Sequence, residues 1–98
     1  MTDMSVDQGD VVDHPERERF EWEVDGHIAY AAYTRAGDVL TLTHTIVPTS
    51  ISGRGIATRL IGAVMRQVRA QGLKIEPECA FVIAYLQKHP EDADLVAG

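Results

Sequence analysis

Between Arg19 and Val47 apolar and polar residues alternate over three successive runs separated by two short turns, and this constrains the fold most. In the first run Phe20, Trp22 and Val24 point one way and Arg19, Glu21 and Glu23 the other, as in a half-buried strand. Asp25-Gly26 follows, a two-residue hairpin signal because both positions tolerate positive φ. The second run, His27 to Arg35, sets Ile28, Tyr30 and Ala32 on one face. After Ala36-Gly37-Asp38 the third run, Val39 to Val47, is rich in β-branched residues and stops at Pro48. Strict alternation puts Leu40, Leu42, His44 and Ile46 on one of its faces, and Thr41, Thr43, Thr45 and Val47 on the other. Three strands joined by tight turns predict an antiparallel meander.

Past Gly53 and Gly55 the period changes. Ala57, Leu60, Ile61, Val64, Met65 and Val68 form one apolar stripe on a helix of about four turns. Gln71-Gly72 ends it with a glycine suited to a left-handed cap. Leu73 to Glu76 reads as a short strand stopped by Pro77. Ala80 to Lys88 reads as a second helix, with Phe81, Ala84, Tyr85 and Lys88 at helical spacing. Pro90 ends that helix, and Glu91 to Val96 leaves room for one further turn. The order β-β-β-α-β-α predicts an α/β (α+β) fold with helices on a mostly antiparallel sheet. A helical crossover joins the third and fourth strands, which leaves them either parallel side by side or splayed apart.

The 98 residues fit one domain, and their 45% hydrophobic content is that of a folded protein. Residues 1–14 lack periodicity and are expected to be a flexible acidic tail, with order left open near Val11-Val12, and 15–98 the folded domain. No basic start or apolar stretch marks a secretory signal, and no run approaches the length of a membrane span. The single cysteine, Cys79, excludes an internal disulfide and fits a reducing, cytoplasmic setting. A net charge of −6 argues against a nucleic-acid binder. That charge is unevenly spread: from Val39 to Ile75 there is no acid, while Arg54, Arg59, Arg66, Arg69 and Lys74 are all cationic. Such a half suits a small polyanion, although a solvated arginine-rich helix face explains it as well.

Gly53-Arg54-Gly55 lies between a strand and an amphipathic helix. Two glycines let the backbone approach a ligand and turn N–H groups outward, and the helix start adds about half a positive charge. Diphosphate is a natural guest there, with Arg54 and Arg59 within reach to add contacts. A tight turn that merely admits the helix is the plain alternative. Two rival phosphate motifs fail. No lysine follows either glycine, so there is no P-loop. Thr58 stands where a dinucleotide fold wants glycine or alanine. Pro48 to Ser52 separate the strand from Gly53, although Glu76 falls where such a fold keeps its ribose-binding acid.

With these stretches in view, the sequence resembles the minimal, single-domain GNAT-type N-acetyltransferases. The likeness rests on Arg19-Phe20-Glu21, Val24-Asp25-Gly26, His44-Thr45-x-Val47-Pro48, Gly53-Arg54-Gly55-Ile56-Ala57 with Leu60, Gly72-Leu73-Lys74, Pro77-x-Cys79-x-Phe81-Val82 and His89-Pro90-Glu91 with Asp94-Leu95-Val96. These stretches run in unbroken order over about residues 11–96. The resemblance implies acetyl-CoA as co-substrate. Ile46 and Val47 would pair their main chain with its pantetheine arm, and the amides from Ser52 and Gly53 through Arg54, Gly55, Ile56, Ala57 and Thr58 would hold its diphosphate. The reactive residues it implies fall on His44 and Cys79. Tyr85 stands near where such enzymes often keep a tyrosine that protonates the departing thiolate. Ile46 replaces an acid common at its place, so no carboxylate base is available there, and Ala80 replaces a frequent proline.

Each of these residues also has an ordinary structural role open to it: Cys79 as a pocket-lining thiol, His44 as a satisfied core histidine, Tyr85 as a core aromatic. A helix start lowers the pKa of a thiol, and a nearby imidazole would lower it further. His14, His27 and His89 lack metal-ligand spacing with one another or with Cys79, so no metal site is expected. The function implied is transfer of an acetyl group from acetyl-CoA to an unidentified amine; the alternative is a CoA-binding module without turnover. The acceptor and the oligomeric state are not legible in the sequence.

Overall fold

The computed structural model describes residues 11–98, so most of the expected tail lies outside the described residues. The elements are β1 (Val12–His14), β2 (Arg19–Val24), β3 (His27–Ala36), β4 (Val39–Ile46), α1 (Ile56–Ala70), β5 (Lys74–Pro77) and α2 (Ala80–Lys88), with a closing 3₁₀ segment, Pro90–Leu95. They form one five-stranded sheet in the order β1-β2-β3-β4-β5. The expected β-β-β-α-β-α order is present, preceded by one more short strand. That strand starts inside the range expected as tail: Val12 lies opposite Glu21 and His14 opposite Arg19, and Val11 is buried beside them.

Asp25 and Gly26 both take positive φ (53° and 80°), as a tight hairpin between β2 and β3 requires. The register pairs Phe20 with Ala31 and Trp22 with Ala29, so these four side chains share one face. All four are buried. On β3 the core therefore takes Ala29, Ala31 and Tyr33, whereas Ile28 on the opposite face stays exposed. The small alanines beside Trp22 and Phe20 leave room for α1, which packs on β3. Tyr33 packs against Phe20 with ring centres 5.3 Å apart, and its hydroxyl donates to Asp13 Oδ1 at 2.7 Å.

Strict alternation fails on β4, and the expectation for His44 and Ile46 is corrected here. Tyr33 lies opposite Leu42 but Ala32 lies opposite His44, so Thr43 is an extra, unpaired residue. Such a bulge flips every later side chain to the other face. Leu40 and Leu42 are buried, whereas His44 and Ile46 point to the outer face and Thr45 turns inward. The Thr43 hydroxyl donates to the Ala32 carbonyl at 3.3 Å and holds the irregular step.

α1 buries the expected stripe from Leu60 to Val68 but leaves its first member, Ala57, only part-buried, and it also buries Ile56, Gly62 and Ala63. The buried arc is wider than the stripe because α2 and the 3₁₀ segment pack on its flank. Arg69 ties that segment down with a two-pronged bond to Asp94 (2.8 and 2.9 Å) and a contact to Asp92 at 3.2 Å. Arg54 pairs with Asp25 at 2.8 Å. The acid-free stretch thus finds counter-ions elsewhere in the fold, and its positive charge is partly spent within the protein.

Candidate acetyl-donor site

β5 runs parallel to β4, but only Val39 to Leu42 are paired with Lys74 to Pro77. Beyond that point the two strands part. The expectation that they lie parallel or splayed resolves into both, in succession. The amides of Glu78 and Cys79 both donate to the Leu42 carbonyl at 3.0 Å, which pins the chain at the fork before α2 begins. Among the described residues, His44 to Ile46 pair only with β3, so their other edge faces the opening.

Beside that opening lies a cleft of about 250 Å³ lined by Val47, Ser52, Gly53, Gly55, Ile56, Ala57, Thr58 and Phe81. Of the residues expected to hold the co-substrate, Ile46 and Arg54 are absent from this lining; the Ile46 side chain points outward and Arg54 reaches Asp25. Gly53 and Gly55 adopt φ of 79° and 71°, and a Cβ at either would meet nothing within 4 Å. Their need for glycine is therefore conformational, because packing does not forbid a side chain. The first hydrogen bond of α1 runs from Arg59 N to Gly55 O. The amides of Ile56, Ala57 and Thr58 have no acceptor within the helix, and Gly55 has no side chain to cap them.

Cys79 is the N-cap of α2 and lies 3.4 Å from the Thr45 hydroxyl. Burial pushes its thiol up, but the Thr45 hydroxyl and the amides of Val82, Phe81 and Thr45 outweigh this and leave it below its ordinary range. The largest lowering contributions thus come from a hydroxyl and from amides, with no imidazole among them. His44, exposed on the other face, bonds its neighbour Thr43 at 3.2 Å. The two expected reactive residues therefore stand on opposite sides of β4. Thr45, which alternation assigns to the face opposite His44 without marking it as reactive, is the partner of Cys79. Only the bulge brings it there, and no residue type announces a bulge.

Tyr85 is buried and lines a second, smaller cavity of about 70 Å³, with Thr58, Phe81, Ala84, Lys88 and His89. Its ring stacks on His89 at 4.1 Å. Burial raises its hydroxyl above the ordinary tyrosine range, and the nearby Asp92 and Glu91 raise it further. Phe81 lines both cavities; its place on the helical spacing with Tyr85 was the available signal.

A family model for GCN5-related N-acetyltransferases matches residues 19–95. The chain belongs to that family. Its fold is also that of a GCN5-like protein from Staphylococcus aureus, known from an NMR solution structure. The TM-score is 0.68 at 24% identity, over 90% of this chain and 87% of that one. GCN5-related N-acetyltransferases use acetyl-CoA as co-substrate. Among the described residues of this family member, no helix is long and apolar enough to cross a membrane.

The thiol allows a direct measurement. Alkylation of Cys79 by iodoacetamide, followed against pH, should show a midpoint below the ~8.5 of a free cysteine, because a depressed pKa populates the thiolate at lower pH. Thr45→Val removes the hydroxyl contact and should move the midpoint up. A wild-type midpoint at or above that of free cysteine contradicts the described environment.

Proposed function

We propose that this protein is an acetyl-CoA-dependent N-acetyltransferase acting on an amine acceptor. The observation that carries the reading is the opening between β4 and β5, flanked by the uncapped amides of α1 and by Cys79 at the start of α2. The diphosphate of the donor would lie on the amides from Gly53 to Thr58, with Ser52 at the rim. The pantetheine arm would run along the free main-chain edge at Ile46 and Val47, which brings the thioester toward Thr45 and Cys79.

Two routes fit this placement. In the direct one, the amine nitrogen attacks the thioester carbonyl carbon, the C–S bond breaks, and the amine proton goes to a base. His44 is the titratable group on the outer face of β4 and is our candidate base for an acceptor arriving from that side. In the two-step route, the Cys79 thiolate displaces the CoA thiolate and then yields the acetyl group to the amine. Tyr85 is our candidate proton donor to the departing thiolate, a role that needs its hydroxyl to turn from Asp92.

Calorimetry with acetyl-CoA and CoA tests binding, and thiol release with a panel of amines tests turnover. Intact-mass measurement after incubation with acetyl-CoA should show one acetyl group on Cys79 under the two-step route. An unmodified Cys79, with turnover preserved in Cys79→Ala, eliminates that route. The separation of His44 from Cys79 favours a second reading, a CoA-binding module without turnover; binding without thiol release in any amine identifies it. If neither acetyl-CoA nor CoA binds, both readings fail.

A further inference from the structure

Neighbouring side chains in a regular strand point to opposite faces, out of reach of each other. Thr43 and His44 do bond, with Oγ1 and Nδ1 3.2 Å apart, because the bulge on β4 breaks the alternation between them. The Thr43 hydroxyl has a second partner, the Ala32 carbonyl on β3 at 3.3 Å. One hydroxyl thus serves both the strand next door and the imidazole beside it.

The hydrogens at this junction can be counted. A threonine hydroxyl carries one hydrogen and two lone pairs, and a carbonyl has none to give. The bond to Ala32 therefore uses the single Thr43 hydrogen, and the bond to His44 must take its hydrogen from the ring. Nδ1 is then the N–H nitrogen of the neutral imidazole, which leaves Nε2 with a bare lone pair. A free histidine prefers the opposite tautomer, with its hydrogen on Nε2, so this state has to be imposed. Nε2 has no partner among the described residues, and the ring is exposed on the outer face of β4.

We infer that Thr43 is a positioning residue, which holds His44 in the Nδ1–H tautomer and leaves Nε2 as the proton acceptor for the incoming amine. The inference rests on the direct route of acetyl transfer. There the amine nitrogen bonds to the thioester carbonyl carbon, the C–S bond breaks, and its electron pair leaves on the CoA thiolate. The amine proton goes to Nε2. The imidazolium keeps its Nδ1–H on Thr43, and the exposed ring yields the extra proton to water. Thr43 acts only through His44, so its loss falls on kcat and spares the KM of the acceptor.

Nitrogen NMR of the isotope-labelled full chain, about two pH units above the ~6.5 of free histidine, reads the tautomer directly. His44→Gln assigns the signals of that ring. The wild type should show a protonated Nδ1 and a bare Nε2. Thr43→Val keeps the branched shape without the hydroxyl and should return the ring to the Nε2–H form, whereas Thr43→Ser should keep Nδ1–H. With an amine that is turned over, Thr43→Val should lower kcat about fivefold, the scale of one net hydrogen bond, and Thr43→Ser should restore it. An Nε2–H ring in the wild type overturns the inference whether or not Thr43→Val folds. So does an Nδ1–H ring in folded Thr43→Val. Turnover by a wild type with an Nε2–H ring removes the positioning role and leaves the transferase reading intact. The expected tautomer without thiol release from any amine overturns the transferase reading and the base role together.

Discussion

Ala57→Glu is expected to weaken acetyl-CoA binding about 30-fold, or about 2 kcal/mol, while raising the melting temperature. Ala57 lies in the first turn of α1 and lines the donor cleft. A carboxylate in a first turn favours the helix by about 0.3–1 kcal/mol, because it meets amides with no acceptor of their own. On the proposed placement of the donor, the same carboxylate faces the diphosphate. Two like charges at about 4 Å repel by about 4 kcal/mol near a protein surface, and salt reduces this to roughly half. The opposed signs make the test sharp. Lost affinity together with lost stability points instead to damaged packing. Unchanged affinity places the diphosphate somewhere else. Ala57→Gln, of the same size and without charge, should bind nearly as the wild type does.

Trp22→Ala should bring the domain close to unfolding. Trp22 is 1% exposed and heads the large buried side chains. Truncation of a buried tryptophan costs about 3–5 kcal/mol, against a total of about 5–10 kcal/mol for a domain of this size. Chemical denaturation should lose about a third or more of its midpoint, and the melting temperature should fall by about 12–40 °C. Trp22→Phe gives the informative contrast. Among the described residues, the Nε1 of Trp22 is buried without a hydrogen-bond partner. Such an orphan donor costs about 1–3 kcal/mol, so its removal offsets much of the lost burial. The phenylalanine variant should therefore lose less than about 1.5 kcal/mol. A loss as large as that of alanine implies that Nε1 has a partner after all.

Local chemistry made much of this fold readable. The Asp25-Gly26 turn, the stripe from Leu60 to Val68 and the bounds of α2 each depend on residues close in sequence, and each is found where spacing places it. On β3 the same alternation holds, but nothing local says which face is the core. Ala29 and Ala31 are buried because Trp22 and Phe20 lie opposite them. The bulge at Thr43 was invisible for a related reason. It is a mismatch between two strands, and threonine is as much at home in a regular strand. That mismatch sets Thr45 beside Cys79 and turns His44 away, and neither orientation can be read from the strand alone. The left-handed turn at Gly53 and Gly55 was legible because glycines at a helix start are a local signal.

The two pairings of β4 differ in how far the chain travels to make them. β1 to β4 each meet a sequence neighbour, whereas β5 reaches β4 only after the whole of α1 has crossed. Contacts that close long loops form late and open early. The walls of the cleft belong to that late set: the end of β4, the start of α1 and the start of α2. A ligand lodged among them fastens the last-made part of the domain, and so acts on the rate of unfolding more than on the rate of folding. The acetyl donor would then be a clasp as well as a reactant, and the lifetime of the closed chain would follow its concentration.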